Sequence, residues 1–379
     1  MAALRDLARR AVSTARARGA RLLAPLAGLL GGVLSSTPAA ALTLPEDTAE
    51  VMYHLFNGAD LTAQGPAVLL RKSLFDKVSV TGTYYVDMVS SASIDVVTTA
   101  SPFKETRREY NLGAEYVYRD SLLSASYSNS TEPDYKAQAV NIDVSQEVFG
   151  NMTTIALGFS RGKDDVGKVG EGFFDYAKHW RYRFGVTQVL TPTWLASLNL
   201  EAGADDGYLG SPYRSALVFG AYVPENVPRT RSSRSIKLGV VGQVMERTSV
   251  HANYRYFYDT WDIKASTWEI GGSRYVGESF LIDGYVRYYN QTRALFYSND
   301  ASTETLYITR NRQHSTFYDV APGVRVTYLY KQVPGRYEIK GHFNYEYQYY
   351  KYADFTDVRT GQLYSYSAHV LQLVLTATF

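Results

Sequence analysis

The segment from His369 to Phe379 constrains this chain more than any other. Counting back from Phe379, Ala377, Leu375, Leu373 and Leu371 share one face, while Thr378, Thr376 and Gln372 lie on the other. Side chains alternate sides along a strand, so this segment has one greasy side and one mostly polar side. Two readings follow: a half-buried strand of a soluble sandwich, or a strand with lipid on one side and water on the other. The rest of the sequence decides between them.

Residues 1–41 read as a secretory signal peptide. Six arginines (Arg5, Arg9, Arg10, Arg16, Arg18, Arg21) face a single acid, Asp6, ahead of an apolar run from Leu22 to Leu34 and a small-residue end, Ala39-Ala40-Ala41. The run is too short, and too broken by Pro25, Gly28, Gly31 and Gly32, to cross a bilayer as a helix. General secretion is expected over twin-arginine export despite Arg9-Arg10, because a barrel must travel unfolded. A translocated chain ending on an amphipathic strand with a terminal aromatic resembles the insertion signal of bacterial outer-membrane β-barrels, which makes Phe379 the expected assembly signal. With no cysteine, lipid anchoring through a thiol, disulfides and thiolate metal sites are all excluded.

Composition agrees. The mean hydropathy of −0.23 would suit a soluble protein, but barrel strands are half polar and escape such averages. The chain carries 33 Tyr against 12 Pro. Without the signal, six arginines and one acid leave totals of 39 and 37, so the mature balance is −3, no footprint for nucleic acid.

Tight turns are expected at Phe75-Asp76-Lys77, Arg119-Asp120, Phe149-Gly150-Asn151, Leu190-Thr191-Pro192, Met245-Glu246-Arg247, Val276-Gly277-Glu278 and Val333-Pro334-Gly335. Longer polar connections alternate with them, at about 91–105, 130–136, 161–178, 203–232, 259–264, 291–314 and 352–361. Short turns at one end and long loops at the other define a transmembrane antiparallel up-and-down β-barrel of about fourteen strands over residues 67–379. Sixteen follow if Ala67–Leu74 adds a strand. Residues 42–66 are expected as a short N-terminal helical segment, periplasmic or luminal. Pro45-Glu46-Asp47 looks like its start, Val51, Met52, Leu55 and Phe56 recur at helical spacing, and Asn57-Gly58 is a stop. Pro322, inside a strand with no free edge, predicts a bulge or an interruption.

The alternation also sorts faces. Tyr337, Ile339, Gly341, Phe343, Tyr345, Tyr347 and Tyr349 point out, with Glu338, Lys340, His342, Asn344, Glu346 and Gln348 pointing in. Trp180, Trp194, Tyr84, Tyr116, Tyr118, Tyr328 and Tyr330 fall near strand ends, where aromatic girdles meet the bilayer interfaces. Extended over the chain, the rule lines the lumen with Asp87, Glu109, Glu115, Asp143, Glu147 and Glu201 in the first half. Arg181, Arg183, Lys237, His251, Arg255, Arg287, Arg325, Lys340 and His342 follow, interleaved with Glu269, Asp283, Glu338 and Glu346. Such charges either set a transverse field across a water-filled pore or pair up and fill a closed lumen.

No catalytic constellation, cofactor motif or metal-ligand spacing emerges, so an enzyme is not expected. Six histidines are scattered, Asp164-Asp165 and Asp205-Asp206 read as solvated loop tips, and no Gly-x-Ser-x-Gly elbow occurs. Apolar and aromatic residues in Ser90–Lys104 and Gly203–Ser232 suit packing across a barrel mouth, making those loops candidate lids.

Several longer strings go beyond generic barrel character. They are Tyr84 to Val97 (including Asp-Met-Val-Ser-Ser-Ala-Ser-Ile-Asp-Val), Gly207-Tyr208 with Ser211-Pro212-Tyr213-Arg214, Pro228 to Arg231, Tyr254 to Ile263, and Tyr285 to Tyr289. Together they resemble a bacterial outer-membrane family known as domain of unknown function thirty-five-seventy, from about Leu44 to Phe379. That resemblance implies a barrel and supplies no substrate or catalytic residue. The leading expectation is a passive channel or binding barrel for small solutes in the bacterial outer membrane. Its partners would be outer-membrane lipid and the barrel assembly machinery. The alternative is a structural barrel that scaffolds an unknown periplasmic or surface partner, with an accessory redox role left open.

Overall fold

The computed structural model describes residues 44–91 and 103–379; the expected signal peptide and residues 92–102 of the Ser90–Lys104 loop lie outside the described residues. Sixteen antiparallel strands close into one barrel. Strand β1 (Thr48–Gly58) pairs with β2 (Leu61–Leu74) on one side and with β18 (Leu363–Thr378) on the other, so first and last strands seal the sheet. Next come β3 (Val78–Ser91), β4 (Phe103–Tyr118), β5 (Ser121–Thr131), β6 (Tyr135–Val148), β7 (Thr153–Gly167), β8 (Phe174–Thr191) and β9 (Trp194–Gly207). The wall then skips a separate hairpin, β10 (Ser215–Val218) and β11 (Ala221–Pro224). It resumes with β12 (Thr230–Met245), β13 (Thr248–Asp259), β14 (Lys264–Val276), β15 (Phe280–Gln291), β16 (Phe317–Val333) and β17 (Tyr337–Thr356).

Each of the seven expected tight turns falls at a strand reversal on one end, here the turn end. The strand count is sixteen, because the segment expected as a helix is β1 and Ala67–Leu74 is the second half of β2. Val51, Met52, Leu55 and Phe56 fit either period over so short a run. Closure decides: Val51, Tyr53 and Leu55 lie opposite Leu375, Leu373 and Leu371 of β18 and share their outward face. A helix there would leave two edges unpaired. Residues 48–66 therefore belong to the wall and are not a periplasmic or luminal appendage. At the opposite, loop end, β1 and β2 join through Ala59-Asp60, both at positive φ (55° and 56°), the two-residue geometry that matches strand twist.

Pro322 interrupts the ladder without a bulge. Toward β17 the pairing passes from Val320↔Tyr349 to Gly323↔Glu346, omitting Ala321 and Pro322 while register is kept. Pro66 does the same in β2, where pairing with β3 jumps from Gln64↔Met88 to Ala67↔Tyr85. Strands of up to 20 residues outrun the ~9–11 needed to cross a bilayer, so their loop ends project beyond it. The connection expected over 161–178 therefore shrinks to 168–173, because outward Arg161, Lys163 and Asp165 sit on a projecting strand.

Candidate functional site

Lipid-side and lumen-side registers separate cleanly. Val68, Leu112, Leu157, Leu238, Ile270 and Leu375 are among the exposed apolar side chains of the outer face. On the opposite register lie Asp87 of β3, Glu109 and Glu115 of β4, Asp143 of β6, and Arg181 and Arg183 of β8. His251 and Arg255 of β13, Asp283 and Arg287 of β15, Arg325 of β16, and Lys340 and His342 of β17 share it.

Many of these charges are paired. Arg183 meets Asp143 at 2.9 Å and Arg181 meets Asp205 at 2.6 Å. Arg107 bridges Asp87 (3.6 Å) and Glu109 (3.0 Å), and Arg287 lies 3.3 Å from Asp319 and 3.6 Å from Glu346. Tyr285 donates to Glu346 and packs its ring over Gly323, where a Cβ would come within 2.2 Å of the phenol. Gly323 thus leaves room for a tyrosine that braces the ion-pair network from inside.

Two histidine clusters escaped the sequence reading. His179 bonds Asp205 through Nδ1 (2.7 Å) and Asp164 through Nε2 (2.9 Å). Asp164 is 2% exposed and Asp205 9%, so neither is the solvated tip expected of it. Alternation carries the missed signal: Asp164 shares a face with Ser160 and Gly162, and Asp205 with Glu201 and Gly203. His54 of β1 bonds Asp87 at 2.6 Å and stacks on Tyr85 with ring centroids 4.6 Å apart, an arrangement hidden while β1 reads as a helix.

Strands β3 to β6 give the lumen a different surface. Ser124, Ser126, Ser128 and Ser130 occupy successive inward positions of β5, between Asn111 of β4 and Asn141 of β6. Among the described residues, Ser79 Oγ, Thr83 Oγ1, both amide atoms of Asn111 and Glu115 Oε2 are buried with no protein hydrogen-bond partner.

The loop end is roofed. Trp261, Ile263, Tyr297, Tyr352, Phe355 and Tyr364 form a buried core with Val227 and Ala294, drawn from the β9–β12, β13–β14 and β15–β16 connections and from the loop ends of β17 and β18. Residues 292–316 form its strap: Ala294 N bonds His314 O (2.8 Å), Arg310 reaches Asn299 and Thr356, and Tyr297 donates to Asp354 O (3.0 Å). Burial and the nearby Arg231 and Arg214 pull the His314 imidazole down to about 3, so it stays neutral inside this core. Within the expected lid Gly203–Ser232, residues 208–229 lie outside the wall strands and tie the β5–β6 connection to the strap. Arg214 bonds Asn311 of the strap (2.7 Å) and Tyr213 donates to Asp134 in the β5–β6 connection. The strap occupies the connection expected over 291–314.

Beside Tyr213, ligand oxygens of Glu105, Glu132 and Asp134 all lie within 4.8 Å of one another, close enough to share a cation. Burial, with Glu105, Asp134 and Asp87 nearby, pushes the Glu132 carboxyl up to about 7 against the opposing pull of Arg107.

Fold and lumen define a β-barrel of the outer-membrane type. The chain belongs to the family described as Protein of unknown function (DUF3570), which matches residues 82–177 and 174–316. No curated protein matches it. Among solved structures it is similar to a bacterial polysaccharide outer membrane secretin, with a TM-score of 0.50 at 10% identity, covering 88% of this chain and 99% of that one. CdiB from Acinetobacter baumannii gives 0.48 at 9% identity over 87% of this chain. The siderophore receptor PirA from Pseudomonas aeruginosa gives 0.45 at 10% over 82%. The chain spans 60% of the length of each of the last two. Likeness at this identity concerns the fold alone.

Proposed function

We propose that this barrel sits in the bacterial outer membrane, loops outward and turns toward the periplasm, and binds or passes small polar solutes without catalysing a reaction on them. The orphaned wall of β3 and β4 carries this reading. A buried polar atom without a partner costs about 1–3 kcal/mol, and folded proteins satisfy nearly all of them. Five on one stretch of wall, beside the serines of β5, call for polar partners such as water or the hydroxyls and amides of a solute. Sixteen strands are also enough to hold an aqueous interior.

Planar-bilayer recording tests it. Stepwise conductance whose ion preference moves toward cations in Arg255→Glu supports passage. Arg255 is preferable to Arg287, which is locked between Asp319 and Glu346 and would take the network with it. A folded protein without steps, and without retention of any small polar solute, favours the second reading, a scaffold. That reading draws on the roof, whose outer side exposes Phe219, Leu295 and Leu306.

A further inference from the structure

The outside of a closed barrel is normally convex, yet this one carries an open groove of about 750 Å³ on its outer wall. Its lining follows two adjacent hydrogen-bond rows across β6, β7, β8, β9, β12 and β13. The upper row is Ile142, Phe159, Tyr182, Ala202, Arg234 and Tyr258, each opposite the next in register. The next row toward the turn end runs from Val144 to Tyr256 and is wholly apolar or aromatic. Ala202, flanked by Tyr182 and Arg234, gives the floor its depth. Because the strands tilt, the rows climb: Ile142 is six residues from Val148, the turn-end limit of β6, whereas Arg234 is eleven from Met245, that of β12.

The loop-end rim is basic. Arg234 points outward, with its guanidinium 3.1 Å from Tyr258 Oη. Arg161, outward on β7, lies one row further toward the loop end, opposite Trp180. One row beyond come Lys163, Lys178 and Asp206; Lys163 is held by Asp165 at 3.0 Å, and Lys178 faces Asp206 in register. Arginine on a lipid-facing register costs about 2–4 kcal/mol at the bilayer centre and little at the interface, where it meets headgroup phosphates. Below Arg234 on the same face β12 carries only Ile236, Leu238, Val240, Gly242 and Val244, so the arginine marks that interface.

We infer that this groove is a binding site for an anionic, phosphorylated lipid of the outer leaflet, with an acyl chain along the two rows and its phosphates toward Arg234 and Arg161, which stand three strands apart along the rim. The inference rests on the outer-membrane placement proposed above. An acyl chain fits because the trough is apolar along its length and opens to lipid. A phosphate fits because the loop-end rim of the trough carries cations where a purely annular contact needs none. The volume is in the range of sites that enclose a small ligand.

The test uses the full folded barrel, exchanged from detergent into nanodiscs of phosphatidylcholine doped with either a bis-phosphorylated lipid A or its dephosphorylated form, and read by native mass spectrometry. Heat-modifiable gel migration first establishes that each variant is folded and inserted; failure there addresses the membrane reading and not the lipid site. Wild type should retain the phosphorylated lipid preferentially. Arg234→Ala and Arg161→Ala should each weaken retention about fivefold, close to 1 kcal/mol per basic side chain at a membrane surface. The Lys versions should keep most of it. Ala202→Trp, which fills the floor and leaves both arginines, should also lose retention. Equal retention of both lipids by wild type, no effect of either arginine, or a dimer occupying this face would each overturn the site.

Discussion

At the scale of single residues, Glu132 changes its charge within an accessible pH range. Its folded pKa of about 7 lies above the ordinary value of 4.5, so the fold holds the proton more tightly than the unfolded chain does. The stability attached to it is fully present below the ordinary value and is lost as pH rises through 7. Above that, the charged carboxylate sits against Glu105 and Asp134, beneath the tyrosine that ties residues 208–229 to the β5–β6 connection. Glu132→Gln should therefore stabilise the fold at pH 8, by on the order of 2 kcal/mol at most and read as a higher thermal midpoint, and leave it unchanged at pH 4. A variant equally stabilised at both values would show that charge repulsion is not the cause. Asp47 behaves oppositely. Lys72 and the Ser73 amide hold its carboxylate down at about 2, so it stays charged throughout this range.

At the scale of elements, β18 shows how much the sequence discloses and where it stops. Its alternation placed Leu371, Leu373 and Leu375 outward, and they are. Leu375→Arg, on the lipid face, should cost up to about 2–4 kcal/mol according to its depth, while Gln372→Arg, one face over, should cost far less. Urea unfolding from lipid vesicles measures both, and equal costs would remove the face assignment. Turns and faces were legible because Gly, Pro and Asn-Asp punctuation and period-two alternation are local. The nature of β1 was not: eleven residues fit both periods, and only pairing with a strand more than 300 residues away resolves them. The roof was hidden for the same reason. Val227, Trp261, Tyr297 and Phe355 sit in four separate polar-looking stretches, and nothing local indicates that they converge. The lumen set followed from alternation, but its ion pairs, such as Arg287 with Asp319 and Glu346, depend on cross-strand register that alternation does not supply.

At the scale of the whole molecule, wall and roof draw on separate sources of stability. The wall is one closed ring of sixteen hydrogen-bonded strands and needs nothing from the loops to close. The roof depends on a small aromatic core in which Trp261 and Tyr297 are 3% and 4% exposed. Truncating a buried aromatic costs about 3–5 kcal/mol, more than a core this size can lose twice. Trp261→Ala with Tyr297→Ala should therefore loosen the roof while the barrel still migrates as a folded, heat-modifiable species. If residues 208–229 and the strap control access to a hydrated lumen, wild type will conduct rarely in planar bilayers and the double variant will show larger or more frequent steps. Equal conductance in the two would mean that the roof does not limit passage. Silence in both would place the block lower, in the paired charges of the lumen, and would shift the balance toward a barrel that presents its roof to a partner.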